Sequence, residues 1–307
     1  MQVSKTKKFF RRMVRQHELI WMSLPIVIYV FIFNYLPLSG WAMAFQYYKP
    51  NPMIKEHPWA GLHWFKYLFT HRIFLQDLRN TLAMSVINLV LGFVCAIFLA
   101  LMINEIRTKS VKRVVQTISY LPHFLSWVIA CSMIANFLES EGILNQIMMG
   151  LGIYDKPNIF LGNKDYFWWI IGWGNVWKSV GWNTIIYLAA ITAIDPQLYE
   201  CAELDGAGRF SRMWHVTLPG IKATILVLVI MNIGWILNAG FEPQYLLKNG
   251  QTLERAETID IFVIDFAFSN LNFSLATAMG IFKTVVSIIL IAGANLASKR
   301  FAQESLV

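Results

Sequence analysis

Long apolar runs, separated by short polar segments, dominate the pattern of hydrophobic and polar positions along this 307-residue chain. A transmembrane helix needs about 20 mainly apolar residues to cross about 30 Å of hydrocarbon. Runs of that length predict an all-α integral membrane protein with six transmembrane helices. The predicted spans cover about residues 19–41, 80–103, 114–138, 167–193, 221–242 and 275–297.

The overall composition agrees with a chain whose surface faces lipid. Hydrophobic residues make up 56% of the sequence and charged residues 14%, with a mean hydropathy of +0.49. A soluble domain carries roughly 25% charged residues. The net charge of +8 would also suit a nucleic-acid-binding protein. In a membrane protein, however, it is better explained by cytoplasmic loops rich in Lys and Arg.

Basic residues near the ends of the spans predict the orientation of the chain. Fifteen Lys and Arg residues lie in the amino-terminal segment and after the second, fourth and sixth spans, whereas nine lie in the longer remaining loops. Both termini and residues 194–220 are therefore predicted to be cytoplasmic. The basic amino-terminal segment, 1–18, either lies on anionic lipid as an amphipathic helix or only fixes the topology. A cytoplasmic tail is predicted over 301–307.

The chemistry-bearing residues exclude several site types. Cys95, Cys131 and Cys201 show no CxxC pairing, and the six His residues form no HExxH pair, so the sequence predicts neither a disulfide framework nor a metal site. No GxxxxGK[ST] phosphate-binding loop is present, so we expect no cofactor in this chain and no ATP hydrolysis by it.

One polar segment between the fourth and fifth spans, residues 195–219, has a distinctive pattern. Asp195 followed by Pro196 is a favourable start for a helix, and Gly206 supplies the positive φ that ends one. A second short helix is predicted before Pro219. The segment is thus a helix–turn–helix on the cytoplasmic face, with small residues that allow close approach by another protein.

The same segment resembles the EAA loop of ABC-importer permeases. Glu200-Cys201-Ala202, three residues, Gly206, nine residues, Val216, one residue and Leu218-Pro219 follow the family pattern of EAA, G, I and LP. Cys201 replaces the first Ala of that pattern and Val216 replaces Ile. The stretches "VWKSVGWNTIIYLAAITAIDPQLYE" and "ATAMGIFKTVVSIILIAGANLASKRF" are similar to maltose-type sugar permeases, most of all the LplB-like polysaccharide permeases. The resemblance covers the chain from about residue 80.

The resemblance implies a type I ABC-importer permease fold, with a core over 80–300 preceded by a first helix and outer segment over 19–79. It implies a bacterial cell-membrane importer for a carbohydrate. Its partners would be a second permease, a cytoplasmic ABC ATPase dimer that binds ATP and Mg, and an extracytoplasmic sugar-binding lipoprotein. The second permease would be non-identical, and a homodimer of this chain is the alternative. The coupling to the ATPase would involve Glu200, Ala202, Glu203, Asp205, Gly206, Leu218 and Pro219.

A substrate pathway is predicted near the membrane midplane. Lys178 and Asn232 each lie eleven residues into a span, and transporters usually place their sites at that depth. In maltose-type permeases the spans on either side of the EAA loop line the sugar pathway. The alternatives are a helix–helix hydrogen bond for Asn232 and a snorkelling Lys178, and Lys283 is a weaker candidate. The implied lining residues are Lys178, Ser179, Trp182, Asn232, Trp235 and Asn238.

Two other functions remain as alternatives. An importer for an amino acid, a peptide or phosphate would carry the same EAA loop, although Trp residues near the midplane favour sugar, whose apolar faces stack on aromatic rings. A membrane-embedded enzyme or sensor needs convergent Asp, Glu or His groups near the end of a span. The predicted spans contain almost no acidic residues, so this second class is disfavoured.

Overall fold

The structure, a computed structural model, describes residues 16–51 and 56–302, with side chains described up to residue 299. Most of the basic amino-terminal segment, including its possible amphipathic helix, and residues 303–307 of the predicted tail lie outside this range. Within the described residues every regular element is helical, apart from an isolated antiparallel bridge between Gln46 and Trp59. The predicted all-α class is confirmed.

The described residues contain fourteen helices, besides short 3-10 turns over Leu121–Phe124 and Phe160–Gly162 and a π-helical turn over Asp265–Ser269. The first, α1, changes from α-helical to π-helical at residue 31 and to 3-10 at residue 36. A π-helical turn over Met213–Thr217 interrupts α9. The helices are α1 (His17–Phe45), α2 (His63–Thr70), α3 (Arg72–Asn104), α4 (Lys109–Tyr120), α5 (Trp127–Leu138), α6 (Ile143–Gly150), α7 (Lys164–Thr192), α8 (Pro196–Leu204), α9 (Arg209–Gly220), α10 (Lys222–Gly234), α11 (Glu242–Leu247), α12 (Leu253–Ala256), α13 (Ile259–Ile264) and α14 (Phe273–Ala302).

Several of these helices are long and apolar enough to cross a membrane. Four such stretches occur in the described part of the chain, namely α1, α3, α5 together with α6, and α14. A fifth exists if α9 and α10, which meet at 58°, count as one span. The fourth predicted span corresponds to α7, which is 29 residues long but is not among these stretches.

The third predicted span, 114–138, is not one continuous helix. A 3-10 turn over Leu121–Phe124 separates α4 from α5. Pro122 has no amide hydrogen with which to continue the helix, and the hydroxyl of Ser126 accepts a hydrogen bond from the amide of Ile129, which starts α5. A run of apolar residues therefore contains two helices with irregular backbone between them.

The fifth predicted span, 221–242, is also interrupted. Its helix, α10, ends at Gly234, and the chain then turns, with the amide of Asn238 donating to the carbonyl of Trp235 at 2.8 Å. Gly240 follows with a φ of 94°, a conformation that favours glycine. Thirteen helical residues extend only about 20 Å, so α10 by itself is too short to cross about 30 Å of hydrocarbon.

The centre of the fold is the pair α3 and α7, which run side by side in the same direction. Near one end Gly172 lies against Ile87, where an added Cβ would be 2.6 Å from the Ile87 side chain. Further along, the hydroxyl of Thr184 donates to the carbonyl of Ala96 at 3.2 Å. Small and hydroxyl-bearing residues let the two helices approach closely, as is typical of helix pairs in membranes.

Candidate coupling loop and substrate cavity

The polar segment between α7 and α10 folds as its capping residues predict. The carboxylate of Asp195 accepts a hydrogen bond from the amide of Gln197 at 2.9 Å, and Pro196 is the first residue of α8. At the other end Gly206 has a φ of 78°. Both ends of α8 are thus set by the residues that the sequence indicates.

The turn after α8 closes on the helix through two backbone bonds. The amide of Gly206 donates to the carbonyl of Glu203 at 3.0 Å, and the amide of Ala207 donates to the carbonyl of Ala202 at 2.9 Å. This pair of bonds is the Schellman arrangement, which requires a left-handed residue at the Gly206 position. The turn therefore depends on the one residue that adopts positive φ without strain.

Two side-chain contacts then fix α9 against α8. Arg212 Nη1 donates to Glu203 Oε2 at 3.0 Å, and the hydroxyls of Tyr199 and Thr217 lie 3.0 Å apart. Thr217 is buried, whereas the Glu203 carboxylate is largely exposed. An exposed ion pair contributes only about 0–1 kcal/mol, so the buried hydroxyl pair is the firmer of the two contacts.

The outward surface of this loop carries large apolar side chains that the sequence analysis did not select. Leu204, Phe210 and Trp214 are 89%, 81% and 69% exposed. Three such residues in an otherwise polar, exposed loop indicate a protein partner that covers them, and their apolarity within that loop was the available signal. Of the predicted coupling residues, the structure exposes Glu200, Glu203, Asp205, Gly206 and Pro219 and leaves Ala202 and Leu218 half-buried.

A cavity of about 260 Å³ lies between α3, α7 and α10. Three predicted pathway residues line it, Asn232, Trp235 and Asn238. Two further asparagines, Asn88 and Asn183, add to its polar lining and were not predicted, because no pattern within α3 or α7 alone shows which neighbour a side chain faces. The remaining lining residues are Ser85, Leu89, Gly92, Phe93, Ala96, Ile186, Tyr187, Leu228 and Ile236.

The break at the end of α10 forms one wall of this cavity. Trp235 follows the last helical residue and is largely exposed, and Asn238 lies one turn further on. Irregular backbone at membrane depth is tolerated where it lines a cavity or is buried in protein, and transporters often place their sites at such interrupted helices. The position of the break therefore favours a binding role for this cavity.

Lys178, which was expected near the midplane, lies outside the lining of the cavity. Its ammonium donates to the carbonyl of His123 at 2.8 Å and lies 5.3 Å from the ring centroid of Trp127. The residue is 7% exposed. It therefore satisfies a carbonyl freed by the break between α4 and α5, and its role in the pathway stays a prediction.

The other two predicted residues of α7 lie near Lys178 in sequence but differ in environment. Ser179 is half-buried, whereas Trp182 is 45% exposed and stacks on the ring of His123, with centroids 4.6 Å apart. Asn183, the next residue, lines the cavity. The Trp182 ring thus lies against the break between α4 and α5 and not in the cavity lining, and the roles of Ser179 and Trp182 also stay predictions.

Ionic contacts gather in the segments that join α6 to α7 and α10 to α14. Lys283, the weaker pathway candidate, pairs with Asp260. Lys164 donates to Glu254 at 2.6 Å, and this hydrogen bond lowers the pKa of the Glu254 carboxyl. Burial raises the pKa of the nearby Glu257. Within the described ranges, no group of three or more His, Cys, Asp or Glu is arranged to hold a metal ion.

Comparisons with known proteins agree with this arrangement. The family model described as "Binding-protein-dependent transport system inner membrane component" matches residues 88–303. The polygalacturonan/rhamnogalacturonan transport system permease protein YteP of Bacillus subtilis (strain 168) is 43% identical, covering 98% of this chain and 94% of that protein. Protein LplB of the same organism is 41% identical, covering 95% and 92%.

A solved structure is similar over nearly the whole length. It is a crystal structure of a bacterial alginate ABC transporter in complex with an alginate pentasaccharide-bound periplasmic protein. The matched chain is 37% identical, with a TM-score of 0.87, covering 97% of this chain and 99% of that one. At this identity and coverage the likeness extends to sequence as well as fold.

Proposed function

Because this chain belongs to the family of inner membrane components of binding-protein-dependent transport systems, we propose that it forms one half of a pore that imports an oligosaccharide. It is the permease subunit of a carbohydrate importer in the bacterial cell membrane, and not an enzyme. The observation that carries this conclusion is the 43% identity to YteP over 98% of the chain. An amino acid, peptide or phosphate cargo is not supported, because that relative and the protein of the solved structure are both described as transporters of polysaccharides.

The specific cargo we propose is a short oligosaccharide that contains uronic acid residues. Polygalacturonan and alginate, which appear in the descriptions of the two similar proteins, are both polymers of sugar acids. The path would follow the exposed side of α7, with Ser179 and Trp182, and the cavity with Asn232, Trp235 and Asn238. Lys178 would support that path by holding the break between α4 and α5 in place.

The loop over 195–219 is proposed to couple this pore to a cytoplasmic ABC ATPase dimer, which would bind ATP and Mg. Leu204, Phe210 and Trp214 would enter an apolar groove on that ATPase, because large exposed apolar residues are typical anchors of protein interfaces. The carboxylates of Glu200 and Asp205 would lie at the rim. The other partners would be a second, non-identical permease and an extracytoplasmic sugar-binding lipoprotein.

The cargo class is tested by purifying the tagged chain with its native partners and reconstituting it in vesicles. We expect a galacturonate trimer, added with its binding protein, to be imported and to stimulate ATP hydrolysis. A neutral glucose trimer of equal length serves as the control and should do neither. Stimulation by an amino acid or by phosphate, with no response to any glycan, would contradict the proposal.

The topology that we propose has six spans with both termini in the cytoplasm, as the basic residues predict. Two exposed positions test it, Ser110 at the start of α4 and Asp155 between α6 and α7. In a Cys201→Ser background, Asp155→Cys should react with a membrane-impermeant maleimide in intact cells. Ser110→Cys should react only after permeabilisation. Reaction of Ser110→Cys in intact cells would contradict this topology and would place the proposed coupling loop outside the cytoplasm.

A further inference from the structure

Among the described residues, Gly92 is the one glycine that lines the cavity between α3, α7 and α10. A Cβ added at this position would meet no atom within 4 Å. Other glycines of the fold behave differently, since an added Cβ would be 2.6 Å from Ile87 at Gly172 and 2.0 Å from the Ser119 carbonyl oxygen at Gly181. Close helix packing therefore explains Gly172 and Gly181, whereas Gly92 faces open space.

Glycine inside a helix also carries a cost. It destabilises a helix by about 0.5–1 kcal/mol relative to alanine, because the unfolded backbone has more freedom to lose. At Gly92 no neighbouring backbone requires its small size, and its φ is not in the left-handed region. What the missing side chain provides at this position is volume in the cavity.

The lining residues indicate what would occupy that volume. The carbonyl oxygen of the Asn88 side chain already accepts from Asn175 at 3.2 Å, which leaves the Asn88 amide group to donate. The Asn232 amide donates to the Leu228 carbonyl at 2.8 Å, which leaves its carbonyl oxygen to accept. A hydroxyl group both donates and accepts, so the cavity offers complementary partners for the hydroxyls of a sugar.

The rest of the lining favours a single ring with uncharged contacts. Trp235 and Phe93 provide aromatic surface for the apolar face of a sugar, and the lining includes no charged side chain. A volume of about 260 Å³ lies just below the ~300–1,000 Å³ of pockets that hold drug-sized ligands. One sugar ring of about a dozen non-hydrogen atoms suits this space, and the rest of a longer oligosaccharide would extend beyond it.

We propose that Gly92 sets the width of a subsite that holds one pyranose ring of the cargo through its hydroxyl groups. The inference rests on the proposed carbohydrate function. A side chain at residue 92 would project into the space of the ring and exclude it. Because the lining is uncharged, the subsite would select its ligand by the size of the ring and by the positions of its hydroxyl groups. Any carboxylate of the cargo would bind elsewhere.

A series of substitutions tests the width of the subsite. Gly92→Ala should keep uptake within about twofold of wild type, whereas Gly92→Leu should lower it at least tenfold, with partner co-purification unchanged. Gly293→Leu is the matched control, because Gly293 lies in α14, is exposed and also has no neighbour within 4 Å. It should transport normally. Wild-type uptake by an assembled Gly92→Leu protein would overturn the proposal.

A cysteine variant keeps the test valid if leucine prevents assembly. Gly92→Cys, in a background in which Cys95, Cys131 and Cys201 are alanine, adds only a small side chain. Methylthiolation should leave uptake largely intact, a benzyl-sized reagent should block it, and bound cargo should slow the modification. Equal uptake after both reagents would overturn the role of Gly92. Glycan uptake by the unmodified wild type is measured separately. If the wild type imports no glycan at all, the proposed function itself is wrong.

Discussion

Substituting valine for Gly206 is expected to lower uptake about five- to thirty-fold, the factor that corresponds to about 1–2 kcal/mol. Gly206 has a φ of 78°, and an L-residue in the left-handed region costs energy of that size, with β-branched side chains tolerated least. The strain would open the turn that follows α8. The anchors Leu204 and Phe210 on either side of the turn would then no longer share one orientation, and docking of the ATPase would weaken.

Two controls separate backbone strain from loss of a contact. Gly206→Asn should retain most of the uptake, because asparagine tolerates the left-handed region better than other residues. Gly208→Val should also be active, since Gly208 has a φ of −69° and, like Gly206, no atom within 4 Å of an added Cβ. Uptake and co-purification of the ATPase are measured for all three variants. Equal activity of Gly206→Val and Gly208→Val would mean that the turn does not matter for coupling.

The coupling loop lies close to the cavity along the chain. The second helix of the loop, α9, meets α10 at 58°, and α10 carries Asn232 into the cavity wall ten residues later. No other helix intervenes between the two sites. If the proposed ATPase partner displaces the loop, we expect this wall of the cavity, which contains Asn232, to move with it.

Long apolar runs predicted most of the helices from sequence, because hydrophobic length decides whether a segment remains in lipid. The spans predicted over 19–41, 80–103, 167–193 and 275–297 correspond to α1, α3, α7 and α14, with ends that differ by one to eight residues. The interruptions in the other two spans could not be predicted in this way. The carbonyl freed after Pro122 finds its partner in Lys178, which is 55 residues away from His123, and hydropathy contains no information about such a partner.

The residues of the candidate sites also differ in whether the sequence alone could predict them. Asp195 and Gly206 were predictable because capping and positive φ are local properties of the backbone. Asn232 and Trp235 were predicted as one face of a helix, although α10 ends at Gly234, one residue before Trp235. Asn88 and Gly92 were not, since they belong to α3, and only the arrangement of α3, α7 and α10 around one cavity brings them together. A single sequence shows which residues share a face of one helix, but not which faces meet.

Replacing Gly181 by alanine is expected to destabilise the fold by about 1–3 kcal/mol or more, the usual cost of inserting atoms into a packed interior. An added Cβ would lie 2.0 Å from the carbonyl oxygen of Ser119 and 2.4 Å from its carbonyl carbon, at the last turn of α4. These are backbone atoms, so the clash cannot be relieved by rotating a side chain. The adjoining turn, which binds Lys178 through His123, would have to move as well.

The fraction of detergent-purified protein that stays monodisperse after heating measures this effect. Gly280→Ala in α14 is the matched control, because Gly280 is also helical and has no atom within 4 Å of an added Cβ. It should be as stable as wild type or slightly more stable, since alanine favours a helix over glycine by about 1 kcal/mol. Adding Ser119→Gly to Gly181→Ala should not restore stability, because the clashing oxygen belongs to the backbone. If Gly181→Ala tolerates heating as well as Gly280→Ala does, α4 and α7 do not approach each other as closely as this packing requires.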